Sequence, residues 1–315
     1  MEADPQGVAE GWGFNFPKLM KIVCKFFQHL PFLRCKPNID WLSLAHETPL
    51  YKKILNPNTF IKLMFMKRIG IVSGKGGVGK STIAASIALA LASKGFKVGL
   101  VDVDITCPNV PDILGKSKLE ITRGDRFAPS IARGVEYISI GQIASEGDPI
   151  LWHPKDLRSA ARQLLERTEW GGLDYLICDF PPGFEAETLE LLPLMDYVLI
   201  VTIPSALSKS KVERMVEAAR EFQIPVLGVV KNMSYFECPS CGSRHRIFAE
   251  DHSFEDLGIP TIAEFPLSRK FANEKCINEF PVEAFLDALK HPVLLRKKPE
   301  SLKRKLLELI FKVKR

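Results

Sequence analysis

Three sets of residues in this 315-residue chain could do chemistry. The first is Gly74-Lys75-Gly76-Gly77-Val78-Gly79-Lys80-Ser81-Thr82, in which Gly74-x-x-x-x-Gly79-Lys80-Ser81 fits the Walker A pattern at every fixed position. Glycines let backbone N–H groups converge on phosphate oxygens that a Cβ would keep away. A helix starting at Ser81 would turn its positive end to the same anion. Lys80 is placed to reach the β- and γ-phosphates, and the Ser81 hydroxyl to ligate Mg²⁺. The second set is carboxylates that close apolar runs: Asp102 and Asp104 in Val101-Asp-Val-Asp104, and Asp179 after Leu173-Asp-Tyr-Leu-Ile-Cys178. Asp179 reads as a Walker B aspartate holding Mg²⁺ through water, Asp104 as the group positioning the attacking water, and Asp102 as its support and a further candidate Mg²⁺ ligand. The third set is Cys238-Pro-Ser-Cys241-Gly242, a tight knuckle whose two thiolates point at one centre. Zinc and [4Fe–4S] centres usually take four ligands, so this is half a site, and spacing alone leaves zinc and a cluster both open.

These residues need a frame. Ile69–Val72 reads as a buried strand and Ser81–Ser93 as a helix, the strand–loop–helix setting a phosphate loop requires. Strands are expected at Val98–Val103, Glu120–Thr122, Val135–Ile140, Asp174–Cys178, Tyr197–Thr202, Pro225–Val230 and Thr261–Ala263. Helices are expected at Asp156–Arg167, Glu185–Leu192, Lys209–Phe222 and Pro281–Leu289. This alternation is that of an α/β P-loop NTPase: a doubly wound, mostly parallel sheet with helices on both faces. Three regions are expected: an extension at 1–65, an ATPase domain at 66–290 that includes the knuckle, and a basic amphipathic tail at 291–315.

Hydrophobic residues make up 46% of the chain, enough for a sizeable core. Net charge is +6, but residues 1–65 carry +3, residues 66–290 carry −4 and residues 291–315 carry +7. The body that holds the chemistry is thus mildly acidic, and the charge gives no case for nucleic-acid binding. No apolar run reaches the roughly 18 residues of a membrane span, and the N-terminus lacks the basic start and apolar core of a secretory signal. A cytoplasmic protein is the expectation. Seven scattered cysteines do not suggest a disulfide framework. Residues 1–65 have two readings, a genuine extension with a short basic helix at Lys18–Leu30, or sequence upstream of a start at Met66. The tail helix, with Leu302, Leu306, Leu309, Ile310 and Val313 on one face, is read as docked or solvated in preference to lying on a membrane.

Lys75, immediately after the first glycine of the loop, resembles the deviant Walker A lysine of the MinD/ParA/Mrp group of P-loop ATPases. That resemblance implies a nucleotide-sandwich homodimer in which Lys75 crosses to the partner's ATP. The stretch Asp102-Val-Asp104-Ile-Thr-Cys107-Pro-Asn109 is similar to the first switch of Mrp-type members, usually Asp-x-Asp-Ile-Tyr-Gly-Pro-Ser, with Thr106-Cys107 in place of Tyr-Gly. Cys107 is read either as a plain small residue or as a redox-sensitive one near the nucleotide. Asp179-Phe-Pro-Pro-Gly183 is similar to the second switch, usually Asp-Thr-Pro-Pro-Gly-Thr. Phe180 and Phe184 stand where small hydroxyl residues are usual, a departure that bears on γ-phosphate sensing. Asn232 falls where relatives contact adenine. With Asn232-Met-Ser-Tyr and Cys238-Pro-x-Cys241 following in order, Met66 to about Leu289 resembles the Mrp/ApbC-type iron–sulfur cluster carrier ATPases.

The resemblance casts Lys75, Lys80, Asp104 and Asp179 in slow ATP hydrolysis, and Gly74 through Thr82 with Asn232 in ATP binding. It implies a [4Fe–4S] cluster held by Cys238 and Cys241 of two subunits and passed to apo iron–sulfur proteins. His245 and His252, close to the knuckle, are not ligands in that family. The competing reading is a MinD/ParA-like membrane-associated positioning ATPase with structural zinc or no metal. A nitrogenase-iron-protein-like reductase fits less well, because its two cluster cysteines come from separated loops.

Overall fold

The structure is a computed structural model, and it describes residues 66–122, 125–142, 154–184, 186–248, 254–268 and 280–296. The expected Lys18–Leu30 helix, the basic tail helix, Cys24, Cys35, Cys276 and His252 lie outside the described residues.

The apolar runs become strands. In chain order these are β1 (Lys67–Val72), β2 (Val98–Asp102), β3 (Glu120–Thr122), β4 (Arg126–Ala128), β5 (Ser130–Ala132), β6 (Val135–Ser139), β7 (Tyr175–Asp179), β8 (Tyr197–Thr202), β9 (Val226–Glu237), β10 (Arg244–Arg246) and β11 (Thr261–Pro266). The described helices are α1 (Lys80–Ser93), α2 (Val110–Leu114), α3 (Pro154–Arg167), α4 (Ala186–Leu191), α5 (Ala206–Phe222) and α6 (Val282–Lys290). The main sheet runs β10-β9-β8-β1-β7-β2-β6-β5, with β11 also pairing β9. Every pair from β9 through β6 is parallel; β10 and β5 are antiparallel at the two ends.

Side-chain alternation splits the core between the two faces of the sheet. Ile69 and Ile71 of β1, Leu100 of β2, Ile177 of β7 and Leu199 and Val201 of β8 join the cluster that holds α1, α2 and α6. Val101, Leu176, Cys178, Val198 and Ile200, from the alternate positions, join the cluster that holds α3, α4 and α5. Strands buried on both faces must be apolar throughout, which is why they read as unbroken runs. Helix α1 is apolar on every side and almost wholly buried, as a helix at the middle of a domain must be.

The position of β1 decides where a ligand goes. It lies between β7 and β8, and the chain leaves it toward β2 on one side and returns through β7 to β8 and β9 on the other. Such a switch point opens a crevice beyond the carboxyl ends of the strands. The loops after β1, β2, β7 and β9 all begin there.

Some elements differ from the sequence expectation. Helix α2 and strands β4, β5 and β10, of three to five residues each, are too short to leave a period in the sequence. Strand β9 does not end at Val230 but continues to Glu237, so Asn232 lies within it. No described helix is long and apolar enough to cross a membrane.

Candidate functional site

The loop between β1 and α1 is shaped from outside as well as by its own glycines. A Cβ on Gly74 would meet Cβ of Lys211 at 2.4 Å, so α5 closes on the loop only because residue 74 has no side chain. Gly79, the residue before α1, has φ +81°, and a Cβ there would lie 2.3 Å from the Asn232 amide nitrogen. Asn232 Nδ2 donates to the Val78 carbonyl at 2.9 Å, while its Oδ1 accepts from the Met233 N–H at 3.0 Å. Each end of that amide makes one bond within the protein, and it pins β9 to the loop. Val78 itself is buried in the α1 core, whereas Lys75, Gly76 and Gly77 are exposed.

Lys80 is buried and its Nζ lies 2.5 Å from Oδ1 of Asp179, which is wholly buried. The other oxygen of Asp179, Oδ2, is buried with no hydrogen-bond partner. A buried carboxylate oxygen left without a donor costs free energy unless a cation or water reaches it. This orphaned oxygen, beside the start of α1 where Ser81 stands, fits Mg²⁺ brought in by a nucleotide.

Asp102 is fully buried. Its Oδ1 accepts from the Asp104 N–H at 3.2 Å; its Oδ2 accepts from the Asn109 N–H at 3.1 Å, the Val110 N–H at 3.2 Å and the Ser139 hydroxyl at 3.0 Å. Burial first, and then the neighbouring Asp179 charge, push this carboxyl up to about 8, while Lys80 and the donors from Val110 and Ser139 pull the other way. The group is committed to holding the loop from β2 into α2. Asp104 is buried at 4% exposure, with Oδ1 accepting from the Thr106 hydroxyl at 2.9 Å and the Cys107 N–H at 3.1 Å. Burial raises its carboxyl, opposed first by the Lys80 charge, so Asp104 faces the same ammonium as Asp179.

The second-switch segment meets the loop directly. The Gly183 N–H donates to the Ser73 carbonyl at 2.7 Å. Phe180 does not approach the phosphate site: its fully buried ring belongs to the α3–α5 face and fills the space a Cβ on Gly70 would contest at 3.0 Å. The position that carries a hydroxyl in the usual second switch is thus filled here by a core side chain, and the Gly183 backbone N–H remains beside the loop. Phe184 is exposed.

Cys238 and Cys241 sit in the turn joining β9 to β10. The Cys238 N–H donates to the Ser243 carbonyl at 2.9 Å, and the Gly242 N–H donates to the Cys238 carbonyl at 2.8 Å. Cys241 is exposed, and its thiol donates to the Ser243 hydroxyl oxygen at 3.2 Å. Hydrogen bonding with the Ser243 side chain, then its backbone, then Cys238 holds this thiol below its ordinary value. Among the described residues no group of three or more His, Cys, Asp or Glu side chains is placed to hold a metal ion. Cys107 is exposed and Cys178 is buried in β7, away from the pair in sequence and environment.

Sequence reasoning missed Ser139, Ser73 and Lys211. Each acts across the fold, on Asp102, Gly183 and Gly74 respectively. Ser139 and Lys211 are distant in sequence from the groups they serve, and Ser73, next to Gly74, acts through a backbone carbonyl that its residue type does not reveal.

Fold and cradle together define a P-loop ATPase, with the residues to hold ATP and Mg²⁺. Residues 65–285 match the ParA family described as NUBPL iron-transfer P-loop NTPase, and the chain belongs to that family. Its relatives include the "Iron-sulfur cluster carrier protein" of Saccharolobus solfataricus, 41% identical over 65% of this chain and 72% of the relative. The protein of the same name from Rickettsia conorii is 36% identical over 78% of this chain and 74% of the relative. The "Iron-sulfur cluster transfer protein NUBPL" of Dictyostelium discoideum is 36% identical over 63% and 64%. A solved nucleotide-binding protein from Archaeoglobus fulgidus in complex with ADP superposes with TM-score 0.59 at 30% identity, over 76% of this chain and 97% of that one. The Pyrococcus horikoshii septum site-determining protein MinD with Mg-ADP shares the fold, with TM-score 0.54 at 21% identity over 72% and 97%.

Proposed function

We propose that this chain is an ATP-dependent iron–sulfur cluster carrier. Two copies hold a [4Fe–4S] cluster between their Cys238 and Cys241 pairs and pass it to apo-proteins. One observation carries the reading. A phosphate loop with a buried Lys80–Asp179 pair is pinned by Asn232 to β9, the strand that leads into an exposed two-thiol turn with no further ligand among the described residues. Half of a four-thiolate site is completed by two-fold symmetry. Lys75 is exposed and so available to a second copy's nucleotide. The names of the relatives point the same way.

The geometry supplies a means of gating. Lys80 is engaged by Asp179, and the Gly183 N–H by Ser73. A triphosphate claims Lys80 and offers Gly183 a stronger acceptor, so binding ATP exchanges both partners and moves the second switch. Slow hydrolysis, with Asp104 positioning water, resets it. Asp102, its oxygens occupied by the loop, supports Asp104 and is not a ligand to Mg²⁺.

The test is iron, sulfide and zinc content with a visible absorption spectrum after anaerobic reconstitution, beside the Cys238→Ala, Cys241→Ala double variant. About four irons and four sulfides per dimer, lost in the variant, are expected. Stoichiometric zinc, or equal iron in the variant, overturns the proposal.

A further inference from the structure

A concave pocket of about 290 Å³ lies at the root of the cysteine turn, lined by Pro204, Ser234, Tyr235, Arg244, Arg246, Phe248 and Glu264. That volume is at the small end of ligand sites, which begin at about 300 Å³, and suits one or two side chains better than a whole cofactor. The antiparallel register of β10 on β9 pairs Arg246 with Tyr235 and Arg244 with Glu237, so Arg244, Arg246 and Tyr235 share a face; Phe236 and His245 take the other. Arg244 is exposed, its guanidinium stacked 4.9 Å from the centre of the Tyr235 ring. Its only cross-strand acid, Glu237, makes no ion pair with it among the described residues. The one carboxylate that lines the pocket, Glu264, is taken by Lys231 at 3.0 Å. The pocket therefore presents the Arg244 guanidinium beside aromatic walls, with the Glu264 carboxylate already matched.

We infer that this pocket receives a carboxylate side chain, with an adjoining aromatic or apolar one, from an acidic segment of the protein that accepts the cluster. A planar guanidinium held on an aromatic ring is arranged for bidentate pairing with a carboxylate. Tyr235 and Phe248 give the neighbouring side chain an apolar bed. The site is joined to the sulfur chemistry by the chain itself. Arg244 follows Ser243, the residue that bonds both cysteines, and stands three residues after Cys241, a separation of at most about 10 Å along the backbone. An acidic segment anchored there brings the recipient's own thiols within reach of the turn. The inference rests on the carrier reading for the identity of its occupant, while the pocket's affinity for an acidic peptide does not.

The experiment uses the full chain, free of metal and nucleotide, and a fluorescein-labelled Asp-Glu-Phe-Asp-Glu peptide followed by anisotropy. A saturable rise is expected, weakened at least tenfold by Arg244→Glu and weakened by raising the salt from 0.05 to 0.5 M. Lys290→Glu, the same charge change on the distant helix α6, is expected to leave it unaltered. Arg244→Lys, which keeps the charge but loses the fork, is expected to fall in between. No binding, or binding indifferent to Arg244→Glu, overturns the inference. Displacement of the peptide by ADP assigns the pocket to the nucleotide instead, and dimerisation lost in Arg244→Glu assigns it to a second copy; either also overturns it. Cluster content measured on Arg244→Glu keeps this outcome separate from the carrier reading, which stands or falls on the cysteine variant.

Discussion

The phosphate cradle and the cysteine turn hang from the two ends of one strand's second half, yet they are held in opposite ways. The cradle is fixed by bonds between distant parts of the chain: Lys80 to Asp179 across 99 residues, Asn232 to Val78 across 154, Ser139 to Asp102 across 37. Lys80, Asp102, Asp104, Asp179 and Asn232 are buried, while Lys75, Gly76 and Gly77 of the loop are exposed. The turn is fixed by bonds within six residues, Cys238 to Ser243, and its sulfurs face outward. A site that must exclude water and align phosphate is finished within one chain. A site that must take up and give away its cargo is left open, so that a second chain and then a recipient can complete it. Mutations should therefore cost stability in the first region and cargo in the second.

The sharpest way to break that contrast is Lys80→Ala. Removing the ammonium leaves the Asp179 carboxylate buried and unpaired, which should cost about 3–5 kcal/mol in urea denaturation, beyond the loss of ATP turnover. The Lys80→Ala, Asp179→Ala double variant should recover part of that cost, because it removes the stranded charge along with its partner. A Lys80→Ala protein as stable as the parent would show that Asp179 already meets water, and that the cradle is not the closed site described.

Asn232→Ala comes next. It leaves the Val78 carbonyl without its donor and frees the turn before α1. About 1–3 kcal/mol of stability should be lost, and ADP should bind roughly tenfold more weakly in a fluorescent-nucleotide titration. Ser139→Ala should cost less, about 1 kcal/mol, because Asp102 keeps three backbone donors. Turnover should fall more than ADP affinity, since Asp102 holds the loop that carries Asp104. Ser139→Thr should restore both, and a Thr variant as poor as Ala would assign the effect to packing.

These residues also mark how far the sequence could be read. The parallel strands were legible because burial on both faces demands continuous apolar runs, and the loop was legible because phosphate binding constrains neighbours in sequence. The end of β9 was misjudged for a physical reason. Lys231 and Asn232 look like the polar close of a strand, but Glu264 answers one and Val78 the other, and neither partner is near in sequence. Phe180 could be seen to lack the usual hydroxyl, but its place in the core, packed toward Gly70 just after β7, depends on a strand distant in sequence. Asp102 could be recognised as chemistry-bearing from its place at a strand end. Its work as an anchor for α2 needed the coordinates of Asn109, Val110 and Ser139.

The smallest stability effect should come from the residues of greatest functional weight. In the metal-free protein the Cys238→Ala, Cys241→Ala variant loses one exposed and one half-exposed sulfur, while the backbone bonds of the turn, Cys238 to Ser243 and Gly242 to Cys238, need no thiol. Its unfolding free energy should stay within about 0.5 kcal/mol of the parent, as for surface changes that open no cavity and strand no polar group. ADP affinity should be equally unmoved. A loss as large as that of Asn232→Ala would mean that the cysteines hold the fold together, as a structural zinc site does, and the division between a finished cradle and an open turn would fail. An unchanged fold with cluster binding gone would place the whole cost of the substitution on the cargo.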